Sequence, residues 1–168
     1  DRNTGARTLV SHSGGTTANG ASGVPAVSND GRYVAFVSFA DNLVPGDTNG
    51  MADVFRKDLV TGTMERLPSL GVVPNASPDY LEFSADASIL TFFDVAANWV
   101  PGATSSRTLL RVHWNLQQVN AIATDFPMAY TVDVSGDGRC MVYSTSEFSS
   151  RARLHVFLTG SEQWVDTP

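Results

Sequence analysis

Apolar residues in this chain fall in short runs separated by Gly, Asp, Asn, Ser and Thr, and no helical spacing extends beyond a turn. Tyr33 to Phe39 (YVAFVSF) is nearly all apolar and rich in β-branched and aromatic residues. Such a run, bounded by turn residues, predicts a strand buried on both faces. Val24 to Ser28 predicts a brief strand before it. Between them Asn29-Asp30-Gly31 predicts a hairpin turn, because Asp-Gly supplies the positive φ angles that tight turns need. A loop follows over Ala40 to Ala52. Asp53 to Asp58 then predicts a third strand, Thr61-Gly62 a second turn, and Thr63 to Leu67 a fourth strand. The fourth is the more polar, which suits an outer edge.

This order of elements recurs. Asn19, Ser28, Asp30, Phe36 and Val44-Pro45-Gly46 find partners at a constant offset in Asn75, Ser84, Asp86, Phe92 and Val100-Pro101-Gly102. The second copy predicts strands at Tyr80 to Phe83, Ile89 to Asp94, Leu109 to Trp114 and Val119 to Thr124. A third copy opens with the match of Val134 to Thr145 to Val27 to Ser38. Its strands are predicted at Tyr130 to Val134, Cys140 to Thr145, Leu154 to Leu158 and Gln163 to Asp166. Asp1 to Ser13 resembles Asp58 to Ser69 and predicts one more outer strand, whose blade is otherwise missing. The second copy has Asp86-Ala87 in place of Asp-Gly, and the third has lost the Val-Pro-Gly loop. A fixed period signals a repeat architecture, and four-stranded units with Asp-Gly turns describe propeller blades. The expected division is one incomplete propeller domain: 1–18 an outer strand of a preceding blade, 19–70 the first blade, 71–126 the second, 127–168 the third.

Three segments carry a family resemblance: Val27 to Ser38, then Asn42 to Phe55 (NLVPGDTNGMADVF), then Asp58 to Thr63 (DLVTGT). Together they resemble the TolB-type, WD-like β-propeller repeats of bacterial extracytoplasmic proteins. The resemblance covers nearly the whole chain and is strongest over residues 19 to 67. It implies an all-β fold of four-stranded antiparallel blades in a periplasmic, secreted or cell-surface protein. Three blades and a strand do not close a ring, since propellers have roughly four to eight blades. Repeat units bury their cores only against neighbours. The expected completion is the remaining fragment of the same precursor, or a homo-oligomer in which two copies give six blades. An open arc capped by a different protein is a third arrangement.

The 168 residues suffice for one domain with a sizeable core. Hydrophobic content of 42% and aromatic content of 10% exclude a disordered chain. The net charge is −6, and Lys57 is the single lysine. No basic cluster could neutralise a run of phosphates, so nucleic-acid binding is not expected. Cys140, the single cysteine, excludes an intrachain disulfide and reads as a small buried hydrophobe. No apolar run reaches the roughly 18 residues of a membrane span. With no initiator Met and no signal peptide, the chain reads as processed or excerpted from something longer.

The richest local chemistry lies in the loop from Asp41 to Asp53. Asp47, Asn49 and Asp53 are oxygen donors at nearby positions, and Gly50 permits a sharp bend. Hard oxygens so spaced could wrap a calcium ion. No Glu stands at the twelfth position, so this is not an EF-hand. The competing reading is that Asp and Asn form Asx-turns. The second copy places Ala103, Ser105 and Leu109 at these positions, so a calcium site would be unique to the first blade. His113 and His155 align with Lys57 on the third strands, but equivalent positions on adjacent blades stand roughly 10 Å apart, and both read as structural. His12 reads as solvated. There is no nucleophile elbow or phosphate loop, and Glu65, Glu82, Glu147 and Glu162 are scattered. Trp99 replaces Leu43 before the Val-Pro-Gly motif and is a candidate sugar-stacking residue, although burial is the competing reading. Trp114, Trp164, Tyr80, Tyr130 and Phe126 read in the same two ways.

The expectation is thus a non-catalytic scaffold for protein or ligand binding, with calcium as a candidate stabiliser. Alternatives are an assembly subunit joining through terminal strands, an accessory propeller of a secreted hydrolase or lyase, and a lectin that binds glycans through Trp99.

Overall fold

The structure is a computed structural model that describes residues 4–67, 78–94, 107–116, 118–126, 129–145, 154–158 and 161–165. Among the described residues it is all-β apart from a 3-10 turn at Trp114–Leu116. A small hairpin of β1 (His12–Ser13) and β2 (Thr16–Thr17) comes first. The first blade follows with β3 (Ser22–Val27), β4 (Tyr33–Ser38), β5 (Asp53–Asp58) and β6 (Met64–Arg66), hydrogen-bonded in that order. The second has β7 (Asp79–Phe83), β8 (Ile89–Asp94), β9 (Arg107–His113) and β10 (Gln118–Phe126) in the same order. The third comprises two hairpins, β11 (Ala129–Val134) with β12 (Met141–Thr145) and β13 (Leu154–Leu158) with β14 (Ser161–Val165). Among the described residues all pairings are antiparallel, and the strands do not close a ring.

Alternation along each strand separates two blade faces. The face toward the next blade is here called trailing, the opposite one leading. Ala35, Val37 and Val54 on the trailing face of the first blade pack with Leu81, Phe83, Leu90, Phe92, Leu110 and Val112 on the leading face of the second. Phe93 and Leu109, trailing on the second, meet Val134 and Met141 of the third. Strands buried on both sides therefore read as continuous apolar runs.

A polar clamp fastens the first seam. Arg56, on the trailing face, lies 4.7 Å from the Tyr33 ring and 4.5 Å from the Trp114 ring. Its Nη2 donates to Glu65 Oε2 at 2.6 Å, and the Trp114 indole donates to the same oxygen at 2.9 Å. Trp114 is buried here and is not a sugar platform.

One turn repeats three times. Ser28, Ser84 and Ser135 donate to Asp30, Asp86 and Asp137 at 2.6, 2.7 and 2.6 Å. The same serine oxygens accept the backbone N–H of Tyr33, Ile89 and Cys140. The left-handed position is Gly31, Ala87 and Gly138, with φ of 69°, 56° and 66°. The second blade therefore keeps the turn despite losing its glycine. Cys140, following the third turn, is half-buried.

Two features depart from the sequence reading. The repeat slips by one residue between the second and third strands. Phe36 pairs with Phe55, and its counterpart Phe92 pairs with Leu110. Val112, not His113, thus takes the place of Lys57, and His113 stands where the first blade has Asp58. The N-terminal segment also folds differently. Among its described residues only His12–Ser13 is a strand, turned back at Gly14-Gly15 with φ of 53° and 83°. That pair of positive angles is the chemistry of a tight hairpin.

Candidate functional site

The loop between β4 and β5 is tied down from both sides. Ala40 and Leu43 are buried with Phe36 and Phe55. Asn19 Nδ2 donates to Asp41 Oδ1 at 2.6 Å, and the Asp41 N–H donates back to Asn19 Oδ1 at 3.1 Å. Asn42 Nδ2 donates to the Thr17 carbonyl at 2.9 Å. Gly46 and Gly50 take φ of 79° and 67°, which lets the chain reverse twice within a few residues. The result presents Pro45 and Gly46 to solvent above a polar recess of about 450 Å³, lined in part by Thr16, Asp41 and Asn42.

Asp47, Asn49 and Asp53 do come together, around a cation the chain itself supplies. Arg66 Nη1 on β6 donates to Asp47 Oδ1 at 2.8 Å and lies 3.6 Å from Asp53 Oδ2. Asn49 turns its amide nitrogen toward Asp53 Oδ2 at 2.9 Å, and its oxygen accepts the Met51 N–H at 2.9 Å in an Asx-turn. Both carboxylates are buried. Burial raises the Asp53 pKa, and Asp47 adds to this while Asn49 and Arg66 oppose it. As arranged, the carboxylates hold a guanidinium. In the register of the sheets Ala121 replaces Arg66 and Thr108 replaces Asp53, so charge and counter-charge disappear together in the second blade. Among the described residues no three His, Cys, Asp or Glu side chains are grouped to hold a metal.

Trp99 lies outside the described residues, as do the side chains of Trp164, Tyr130, Phe126 and His155. His113 Nδ1 is buried without a hydrogen-bond partner among the described residues. The backbone carbonyl of His12 accepts from Lys57 Nζ at 2.7 Å. Sequence reasoning missed Arg66 and the Arg56–Glu65 pair. Aligning β5 against β6 across Thr61-Gly62 would have set Arg56 opposite Glu65 and Phe55 opposite Arg66.

No protein-family model and no curated protein sequence matches the chain. Solved structures do. TolB from Acinetobacter baumannii superposes with a TM-score of 0.58 at 18% identity, covering 99% of this chain and 36% of that one. The β-propeller domain of the Trilobed protease from Pyrococcus furiosus gives 0.61 at 11% identity, covering 89% and 43%. Oligogalacturonate lyase in complex with manganese gives 0.54 at 14%, covering 87% and 36%. The chain spans less than half the length of each of these. The likeness establishes the fold: these sheets are β-propeller blades of the kind found in TolB.

Proposed function

We propose that the chain is a non-catalytic propeller scaffold that binds a protein or ligand outside the bacterial cytoplasm, in the periplasm, at the cell surface or in the secreted fraction. The supporting observation is the first-blade loop, a surface ordered in advance by Arg66, Asn19 and Asn42. Loops held on a rigid scaffold are where binding residues concentrate, and preorganisation lowers the entropy cost of association. Structural likeness to TolB supports the propeller scaffold in this reading. Calcium at Asp47, Asn49 and Asp53 enters this reading only where Arg66 withdraws.

A photo-crosslinking residue at Pro45, with one at Thr63 on the opposite side of the sheet as control, tests it in cell-envelope extract. A discrete adduct from Pro45 alone is expected. Equal labelling from both positions refutes the loop as a binding surface. A second reading, an accessory propeller of a hydrolase or lyase, draws on the likeness to the Trilobed protease and to oligogalacturonate lyase. Assembly through terminal strands and glycan binding through Trp99 are further alternatives. Turnover of peptide or polygalacturonate by the isolated chain would replace the scaffold reading with a catalytic one.

A further inference from the structure

Every cation of the first blade is claimed from within. Arg32 pairs with Asp58, Arg56 with Glu65, and Arg66 is shared by Asp47 and Asp53. Lys57 is buried, and its Nζ donates to the carbonyls of Val10 and His12 at 3.2 and 2.7 Å. Asp41 is exposed and has no cation among the described residues. Its Oδ1 is fixed by Asn19 Nδ2, and its Oδ2 accepts from no described group.

This carboxylate lines the polar recess of about 450 Å³. One wall is the N-terminal hairpin, with Ser13 and Thr16, and the other is the loop that carries Asp41, Val44 and Pro45. The walls are held in place. Lys57 pins the hairpin through its carbonyls. Asn42 spends both ends of its amide between them, donating to the Thr17 carbonyl at 2.9 Å and accepting the Asn19 N–H at 3.0 Å. The remaining polar side chains of the lining are the Asp41 carboxylate and two hydroxyls, and among the described residues no Arg, Lys or His joins them. The recess therefore offers acceptors and a formal negative charge.

We propose that it receives the guanidinium of an arginine carried by a bound peptide segment, with Asp41 as the counter-charge. This deepens the scaffold reading and rests on it. A lone exposed ion pair adds little affinity, so the surrounding acceptors matter. A guanidinium spreads five N–H donors in a plane, which suits a carboxylate flanked by hydroxyls, whereas an ammonium is a compact and strongly hydrated charge. An anionic sugar would meet repulsion from Asp41. A calcium ion takes roughly six to eight oxygens, more than one carboxylate and two hydroxyls supply. At the constant offset of the repeat Ala97 stands in place of Asp41, so the charge belongs to the first blade alone.

The test titrates isotope-labelled protein with acetyl-Gly-Arg-Gly-amide and follows the amide signals. Saturable shifts at Thr16, Asp41 and Gly46 are expected. The citrulline analogue, of the same shape without the charge, should bind about tenfold more weakly or not at all. Asp41→Asn keeps an oxygen for Asn19 and should weaken the arginine peptide by about the same factor. Added salt should weaken it too. Absence of shifts at these amides, or equal binding of the citrulline peptide, overturns the proposal. Tighter binding of digalacturonate at the same amides also overturns it and makes the recess a glycan site. A Pro45 adduct in envelope extract without any response to the arginine peptide leaves the loop reading standing and sinks this one. Peptide binding without a Pro45 adduct supports the recess and sinks the envelope partner.

Discussion

At the scale of single residues the three repeated turns form an internal experiment. Gly31 and Gly138 share a left-handed backbone but not surroundings. A Cβ on Gly31 meets nothing within 4 Å, whereas one on Gly138 would approach Ile89 Cγ1 to 2.5 Å. Left-handed backbone costs an L-residue roughly 1–2 kcal/mol, partly offset by the lower unfolded-state entropy of alanine. Gly31→Ala should therefore cost about 1 kcal/mol. Gly138→Ala adds overlap with a buried isoleucine, which overpacked sites resist by roughly 1–3 kcal/mol more. Urea unfolding would check the order, and equal costs would refute the packing of the third turn on the second blade. Ala87 carries the strain already, but its methyl group is buried in the core. The packing of that methyl explains how the turn survives without glycine.

The elements were legible from sequence where pattern alone decides them. Runs such as Tyr33 to Phe39 and Ile89 to Asp94 had to be strands, and Asp30-Gly31 marked the first turn. Residues whose partner depends on register were not legible. Histidine at 113 looked equivalent to Lys57 because the Val-Pro-Gly landmarks align, yet the loop beyond them shifts the third strand by one. Asp47, Asn49 and Asp53 lie close in sequence, but Arg66 reaches them only once β6 folds against β5. That arrangement makes a prediction about the loop as an element. With Arg66 in place, calcium and chelator should give the same Tm. Arg66→Gln leaves two buried carboxylates facing each other, should lower the Tm, and should make it rise again with added calcium. A calcium response in the unaltered protein would reassign the cluster from latch to metal site.

For the whole molecule, opposing sets of carboxylates set the response to acid. Arg32 holds the Asp58 carboxyl well below its usual range. Serine hydroxyls do the same more mildly for Asp30 and Asp137. At Asp86 burial pushes upward, but hydrogen bonds from Ser84 and Ser88 outweigh it. Folding depresses these four, so their stabilisation is complete above the ordinary Asp range and is lost as pH falls through the lowered values. Asp53 and Glu82 are raised, each chiefly by burial, with Asp133 adding to Glu82. Their contribution is complete below the ordinary carboxylate range and fades as pH rises through the raised values. Lowering the pH from neutrality should therefore first raise the Tm slightly. The fall follows only below about pH 4, where unfolded aspartates begin to protonate. Asp53→Asn with Glu82→Gln should remove the early rise and leave the later fall. Asp58→Asn should lower stability near neutral pH and make the later fall shallower. A Tm that declines steadily from pH 7 to 5 would mean that the raised pair is not felt, and that the lowered aspartates are not what holds the blades together against acid.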